Sequence, residues 1–334
     1  MSAFTQARDG GMRYHRCGQS GLKLPAISLG VREIVTSNWR ELGAQKYFYS
    51  VFDLGITYFD LAYTYGQQLI DVEIILGEIL HTMPRDELII ATGAGYQMNS
   101  EPYGERLSKK SLMVCLDRSL KHLRLDYVDI FYIHRPDPET PLEETMGTLD
   151  LILRQGKALY IGLSSFAGTS FLNAFTTLAE IGQETVTLSQ THYDLLNRSA
   201  ETNLFAHTLR TGTGVLTTCP LAQWLLAEPC LNSHRSSASL STLYQHGQQQ
   251  TQKSRIELLD KLKRLDRLAR DRGQTLAQMA LAWNLQHEAV TSVLIGISKV
   301  EQMLKAVISL QNLSFSEQEL QMIDEITSPS FSFC

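Results

Sequence analysis

The chain has 334 residues, 43% of them apolar, and carries 30 basic against 35 acidic side chains for a net charge of −5. Such a length buries a large core, as two ordinary domains or as one α/β barrel, and the slight acidity excludes a surface built for nucleic acid or an anionic membrane. The five cysteines, Cys17, Cys115, Cys219, Cys230 and Cys334, form no CxxC pair, a usage expected of reduced cytosolic thiols without a metal site.

The opening residues "MSAFTQARDGGM" lack the apolar stretch of a secretory signal, and no apolar run reaches the ~18 residues of a membrane span. A soluble, cytoplasmic protein is expected from this. Residues 12–25 lie in "MRYHRCGQSGLKLPAIS", two alternating runs around a Gly-containing turn, which predicts a hairpin. Placed before the first barrel strand, it would close the barrel's bottom.

Short apolar, β-rich runs then recur along the chain. They are "AISLG" (26–30), "ITYFDLA" (56–62), "ELIIATG" (87–93), "VDIFYIH" (128–134), "ALYIGLSS" (158–165), "TLSQTHY" (187–193), "TGVLTTCPL" (213–221) and "SVLIGIS" (292–298). Helical patterns separate them, such as 108–123 with Ser108 as N-cap and "PLEETMGTLDLILRQG" ended by Gly156. Residues 231–254 are Gln- and Ser-rich without period and predict a long polar loop after the seventh strand, followed by helices over 255–271 and 275–287. Strands alternating with helices in this number predict an α/β protein, a single (β/α)8 TIM barrel over residues 1–334.

In such a barrel the chemistry sits where strands end at their C-terminal side. The strand-end segments here are "FDLAYTYG", "FYIHRP", "GLSSF", "SQTHY" and "LIGISK". With "FDLGITYFDLAYTYG", "SLKHLRLDYVDIFYIHRPDPETPLEET", "GKALYIGLSSF" and "TSVLIGIS" in order, the chain resembles the aldo-keto reductases. The resemblance spans nearly its whole length. It points to the branch with bacterial L-glyceraldehyde 3-phosphate and methylglyoxal reductases and the potassium-channel β subunits.

That resemblance implies hydride transfer from the nicotinamide of NADPH to a small-molecule carbonyl substrate, with protonation of its oxygen. It implies Tyr65 as the acid, Asp60 as the supporting carboxylate and His134 as the group orienting the carbonyl. For the cofactor it implies Ser164, Ser165 and Gln190 on the carboxamide and Tyr193 stacked on the ring. Pro220 and Leu221 would lie beside the pyrophosphate, and Ser298, Lys299 and Gln302 at the adenosine end, where the first two meet the 2′-phosphate. A lone Asp or His closing a strand is ordinary hydrogen-bonded structure; the set and its spacing carry the inference. No nucleic acid or membrane partner is implied, and a homo-oligomer is left open.

Several positions depart from the family pattern. Where the family's lysine stands, in a "TKAG"-like tetrad, this chain reads "TGAG", with Gly93 at the lysine's place. A free phenol titrates near ~10 and is a poor acid at neutral pH; an ammonium beside it lowers that value. Reductase activity is therefore expected to be weakened; strong NADPH-dependent reduction of methylglyoxal by Gly93→Lys would mean that the scaffold is intact and only the acid function was lost. Arg32, just past the first strand, would compensate if it reached Asp60. After strand seven the family's "PLAxG" reads "PLAQW", with Trp224 at the glycine, and Lys305 and Ala306 replace a Glu-Asn pair at the adenine. The second reading of these departures is a non-catalytic barrel, a pseudoenzyme kept as a binding or regulatory module.

Overall fold

The computed structural model describes residues 11–31, 43–61, 67–95, 107–182, 185–227 and 252–328, with the side chains of 67–71 and 252–255 excepted. Arg32, Tyr65, Cys230, Cys334 and residues 231–251 of the expected loop lie outside the described residues.

The expected hairpin is present: β1 (Tyr14–Arg16) pairs antiparallel with β2 (Lys23–Pro25). Strands β3 (Ile27–Gly30), β4 (Tyr58–Asp60), β5 (Ile89–Ala94), β6 (Val128–Ile133), β7 (Ala158–Ser164), β8 (Leu188–His192), β9 (Gly214–Thr218) and β10 (Val290–Ile295) follow. They close into one barrel in the order β10-β3-β4-β5-β6-β7-β8-β9, with every pairing parallel. This is the (β/α)8 architecture.

The helices are α1 (Ala44–Asp53), α2 (Gln67–Leu80), α3 (Lys109–Leu123), α4 (Leu142–Arg154), α5 (Gly168–Ile181), α6 (Ser199–Asn203), α7 (Phe205–Thr211), α8 (Gln252–Asp271), α9 (Leu276–Leu285), α10 (Val300–Ile308) and α11 (Glu317–Thr327). Local chemistry sets several ends. Ser108 accepts a hydrogen bond from the Ser111 N–H at the start of α3, and Thr275 with Gln278 forms a reciprocal capping box at α9. Gly156, just past α4, has φ +68, the left-handed conformation that ends helices cheaply only with glycine. Helix α8 starts at Gln252, inside the stretch expected to be loop.

Alternation along the strands divides the barrel into two cores. Tyr58, Ala91, Ile130, Tyr132, Leu188 and Leu216 point inward and pack with Leu24 and Cys17 of the hairpin region. Their neighbours Phe59, Ile90, Phe131, Ile161 and Val215 point outward under the helices. Several contacts seat the hairpin at the N-terminal end of the strands. Gln19 N–H donates to Gly212 O, Cys17 Sγ–H to Thr187 O, and His15 Nδ1 lies 2.9 Å from Thr291 O. The bottom is thus closed by side chains, and the opposite rim collects the polar strand ends.

Candidate active site

The inward parity of each strand selects what reaches that rim. It brings Asp60 (β4), Gly93 (β5), His134 just past β6, Ser164 (β7) and Gln190 (β8) onto one row, with Ser164 and Gln190 direct partners in register. Asp60 is 3% exposed, and its Oδ2 accepts from Gln190 Nε2 at 2.9 Å and from the Tyr58 hydroxyl at 3.3 Å. The Tyr58 and Tyr132 hydroxyls are 3.0 Å apart. Burial first, and then the Asp60 charge, hold both phenols well above their ordinary range. They therefore stay protonated, and a polar file of neutral donors runs from the rim into the barrel interior.

Gly93 has a structural counterpart. A Cβ there would stand 2.8 Å from His134 Nε2, 2.8 Å from Tyr132 O and 2.9 Å from Tyr132 Cβ. The imidazole thus lies against the point from which a residue-93 side chain would leave the strand. His134 is 2% exposed, and burial pushes its pKa down to about 3, so it is neutral at physiological pH. A neutral ring can donate an N–H but carries no imidazolium proton.

The expected cofactor residues divide. Ser165 is exposed with φ +60, and its N–H donates to Gln190 O, which joins the ends of β7 and β8. Ser298 and Lys299 are exposed immediately before α10, with Lys299 as its N-cap residue, and Gln302 is exposed on its first turn. Lys305 is exposed as well, whereas Ala306 is buried against the core and offers nothing to an adenine.

Tyr193 is a correction. It lies one residue past β8, out of phase with Gln190, and is 1% exposed between barrel and helices. Its ring stacks on Trp283 at 5.0 Å, meets the edge of Phe205 at 4.9 Å, and its hydroxyl donates to Glu201 at 2.7 Å. No ring face is open to a nicotinamide. Strand period puts His192 at the rim instead.

Beyond β9 the backbone takes an unusual path. Cys219, Ala222, Gln223 and Trp224 have φ of +53, +47, +53 and +74, while Pro220 and Leu221 are buried. The position read as the family's glycine therefore keeps a glycine-like conformation while carrying an indole that is 38% exposed.

Two features escaped the sequence reading. One is the bond from Gln190 to Asp60, which joins residues 130 positions apart and has no local signal. The other is His192 with Asp194, 2.7 Å from Nε2 to Oδ2, which the alternation from Gln190 could have shown.

Comparison with known proteins agrees with the barrel fold. The family model described as "Aldo/keto reductase family" matches residues 37–328. The chain is 41% identical over 330 residues to the L-glyceraldehyde 3-phosphate reductases of Escherichia coli O157:H7 and Escherichia coli (strain K12), covering 95% of this chain and 93% of each relative. It is 29% identical over 343 residues to a putative voltage-gated potassium channel subunit beta of Schizosaccharomyces pombe (strain 972 / ATCC 24843), covering 97% of this chain and 96% of that protein. Members of the family generally use nicotinamide cofactors and act on small-molecule carbonyl substrates. With the barrel, the polar rim and these matches together, the chain belongs to the aldo/keto reductase family.

Proposed function

We propose that the protein reduces small aldehydes or ketones of the glyceraldehyde 3-phosphate or methylglyoxal type with NADPH, at a rate lowered by the glycine at position 93. The observation that carries this reading is the row of Asp60, His134, Ser164 and Gln190 on one rim, in a chain 41% identical to L-glyceraldehyde 3-phosphate reductases.

The residues present fit the cofactor at both ends. Ser164, Ser165 and Gln190 group as amide-binding donors and acceptors. Ser298 and Lys299 are exposed before a helix N-terminus, a setting suited to a phosphate. By resemblance, Pro220 and Leu221 would lie beside the pyrophosphate and Gln302 with Ser298 and Lys299 at the adenosine end. Bound reduced nicotinamide supplies a hydride to the substrate carbonyl. His134, neutral, donates its ring N–H to the carbonyl oxygen and orients it, and Asp60 holds the amide of Gln190 in place. Tyr65 is the residue assigned by resemblance to the proton. Without a neighbouring ammonium at 93, its contribution falls within the about 10²–10⁴-fold range of one general acid.

The alternative, a barrel kept as a binding or regulatory module, draws on the left-handed turn at Cys219–Trp224 and on the side chain of His134 pressed against position 93. Titration with NADPH and NADH, followed by assay of NADPH oxidation with L-glyceraldehyde 3-phosphate and methylglyoxal, separates the two. Turnover is expected for the reductase. Cofactor binding without turnover, or no binding at millimolar cofactor, favours the module.

A further inference from the structure

We propose that Tyr47 is a positioning residue for the cofactor's 2′-phosphate: from α1 it fixes the backbone that carries Ser298 and Lys299, and so sets the preference for NADPH over NADH. The proposal rests on the reductase reading above and deepens its cofactor end. Tyr47 lies on the first turn of α1, and its hydroxyl donates to the main-chain oxygen of Ile297, the residue before Ser298. Among the described residues this is the one side-chain hydrogen bond to the backbone of 296–299.

The donor is firmly held. Phe48, Val51 and Phe52 bury α1 on the barrel, and Phe48 meets the edge of Phe59 on β4 at 5.3 Å. Tyr47 packs partly buried against the same core, its ring 5.7 Å from that of Phe48. Burial pushes its phenol up, so the hydroxyl keeps its proton and acts as a donor. Ile297 is itself buried, next to two exposed residues, Ser298 and Lys299.

The acceptor matters because of what shares its peptide. In a trans peptide the C=O and N–H point opposite ways, and no cis bond occurs among the described residues. With the Ile297 oxygen drawn toward α1, the Ser298 N–H faces away from it, just ahead of α10. That N–H has no partner among the described residues, and the Lys299 side chain caps nothing. A 2′-phosphate would meet there a preset N–H, hydroxyl and ammonium at a helix N-terminus. Without the Tyr47 hydroxyl the same segment must be ordered on binding, at a cost in affinity. NADH carries no 2′-phosphate and so gains little from the segment and loses little with it.

The test measures Kd for NADPH and for NADH by nicotinamide fluorescence, in the full-length wild type and in Tyr47→Phe, which keeps the ring and removes only the hydroxyl. Tyr47→Phe is expected to weaken NADPH roughly threefold to tenfold and to leave NADH unchanged. Cofactor-free Tm is the second readout, because a merely structural tie lowers Tm and moves both affinities alike or neither. An unchanged ratio of the two affinities in Tyr47→Phe, whatever its Tm, overturns the proposal and leaves the reductase in place. Equal wild-type affinity for the two cofactors also overturns it, since no 2′-phosphate site then exists. A wild type that binds neither at millimolar concentration overturns the reductase reading, and the positioning role with it.

Discussion

A lysine at position 93 would need space that the neighbouring strand occupies. Two of the three closest atoms to a Cβ there belong to Tyr132, one of them a backbone oxygen, so the strand itself must yield. Gly93→Lys is therefore expected to lose about 1–3 kcal/mol as an overpacked site, read by denaturant unfolding, and not to gain strong reductase activity by itself. Full stability together with strong activity would show that the rim relaxes freely. His134 supplies a pH test. Its folded pKa of about 3 lies below the ordinary value of 6.5, so burial favours the neutral ring. The stability this gives is complete above about 6.5 and is lost as pH falls toward 3, by up to about 1.4 kcal/mol per pH unit. Buried Glu73 and Asp129, both pushed up by burial, have the opposite slope. The quantity to measure is accordingly the difference in stability against pH between wild type and His134→Gln. A flat difference between pH 6.5 and 4 would contradict the burial of a neutral ring.

Elements meet where side chains are missing. Where β6 and β7 pair, the ring of Tyr132 lies over Gly162, and a Cβ there would come within 2.2 Å of Tyr132 Cε1. Gly162→Ala is expected to destabilise by about 1–3 kcal/mol and to disturb the Tyr58 and Tyr132 hydroxyl pair. Gly147, whose Cβ would meet nothing within 4 Å, is the control helix glycine, and Gly147→Ala should stabilise slightly. After β9, Trp224→Gly puts the residue suited to φ +74 at that position. It should hold or raise Tm and tighten NADPH about tenfold, which is ~1.4 kcal/mol. Unchanged affinity would place the indole away from the cofactor path. The strands were legible because their buried runs are apolar on both faces, as in "VDIFYI", and the helix ends because Ser108, Gly156 and Thr275 cap by local chemistry. Tyr193 was misplaced because its spacing from Gln190 was read without the two-residue strand period. That period sends an odd step outward, where the aromatic meets Trp283. The bond from Gln190 to Asp60 spans the barrel and exists only once it is closed.

At the scale of the whole barrel, cofactor preference becomes a stability measurement. A ligand that binds only the folded chain stabilises it by RT ln(1 + [L]/Kd), about 2.7 kcal/mol at a hundredfold excess over Kd. For a chain of this size each kcal/mol is worth a Tm rise of roughly 2–4 °C or somewhat less, so saturating NADPH should raise Tm by several degrees. NADH differs only in lacking the 2′-phosphate, and the exposed pair Ser298 and Lys299 at the head of α10 is the phosphate site proposed here. Lys299→Ala removes one exposed cation whose side chain caps nothing, so cofactor-free Tm should hold while the NADPH shift shrinks toward that of NADH. Equal shifts with both cofactors in wild type would remove the role of Ser298 and Lys299 but keep the reductase. The absence of any shift with either would instead agree with the left-handed turn at Trp224 having closed the path, and would favour the barrel as a binding module.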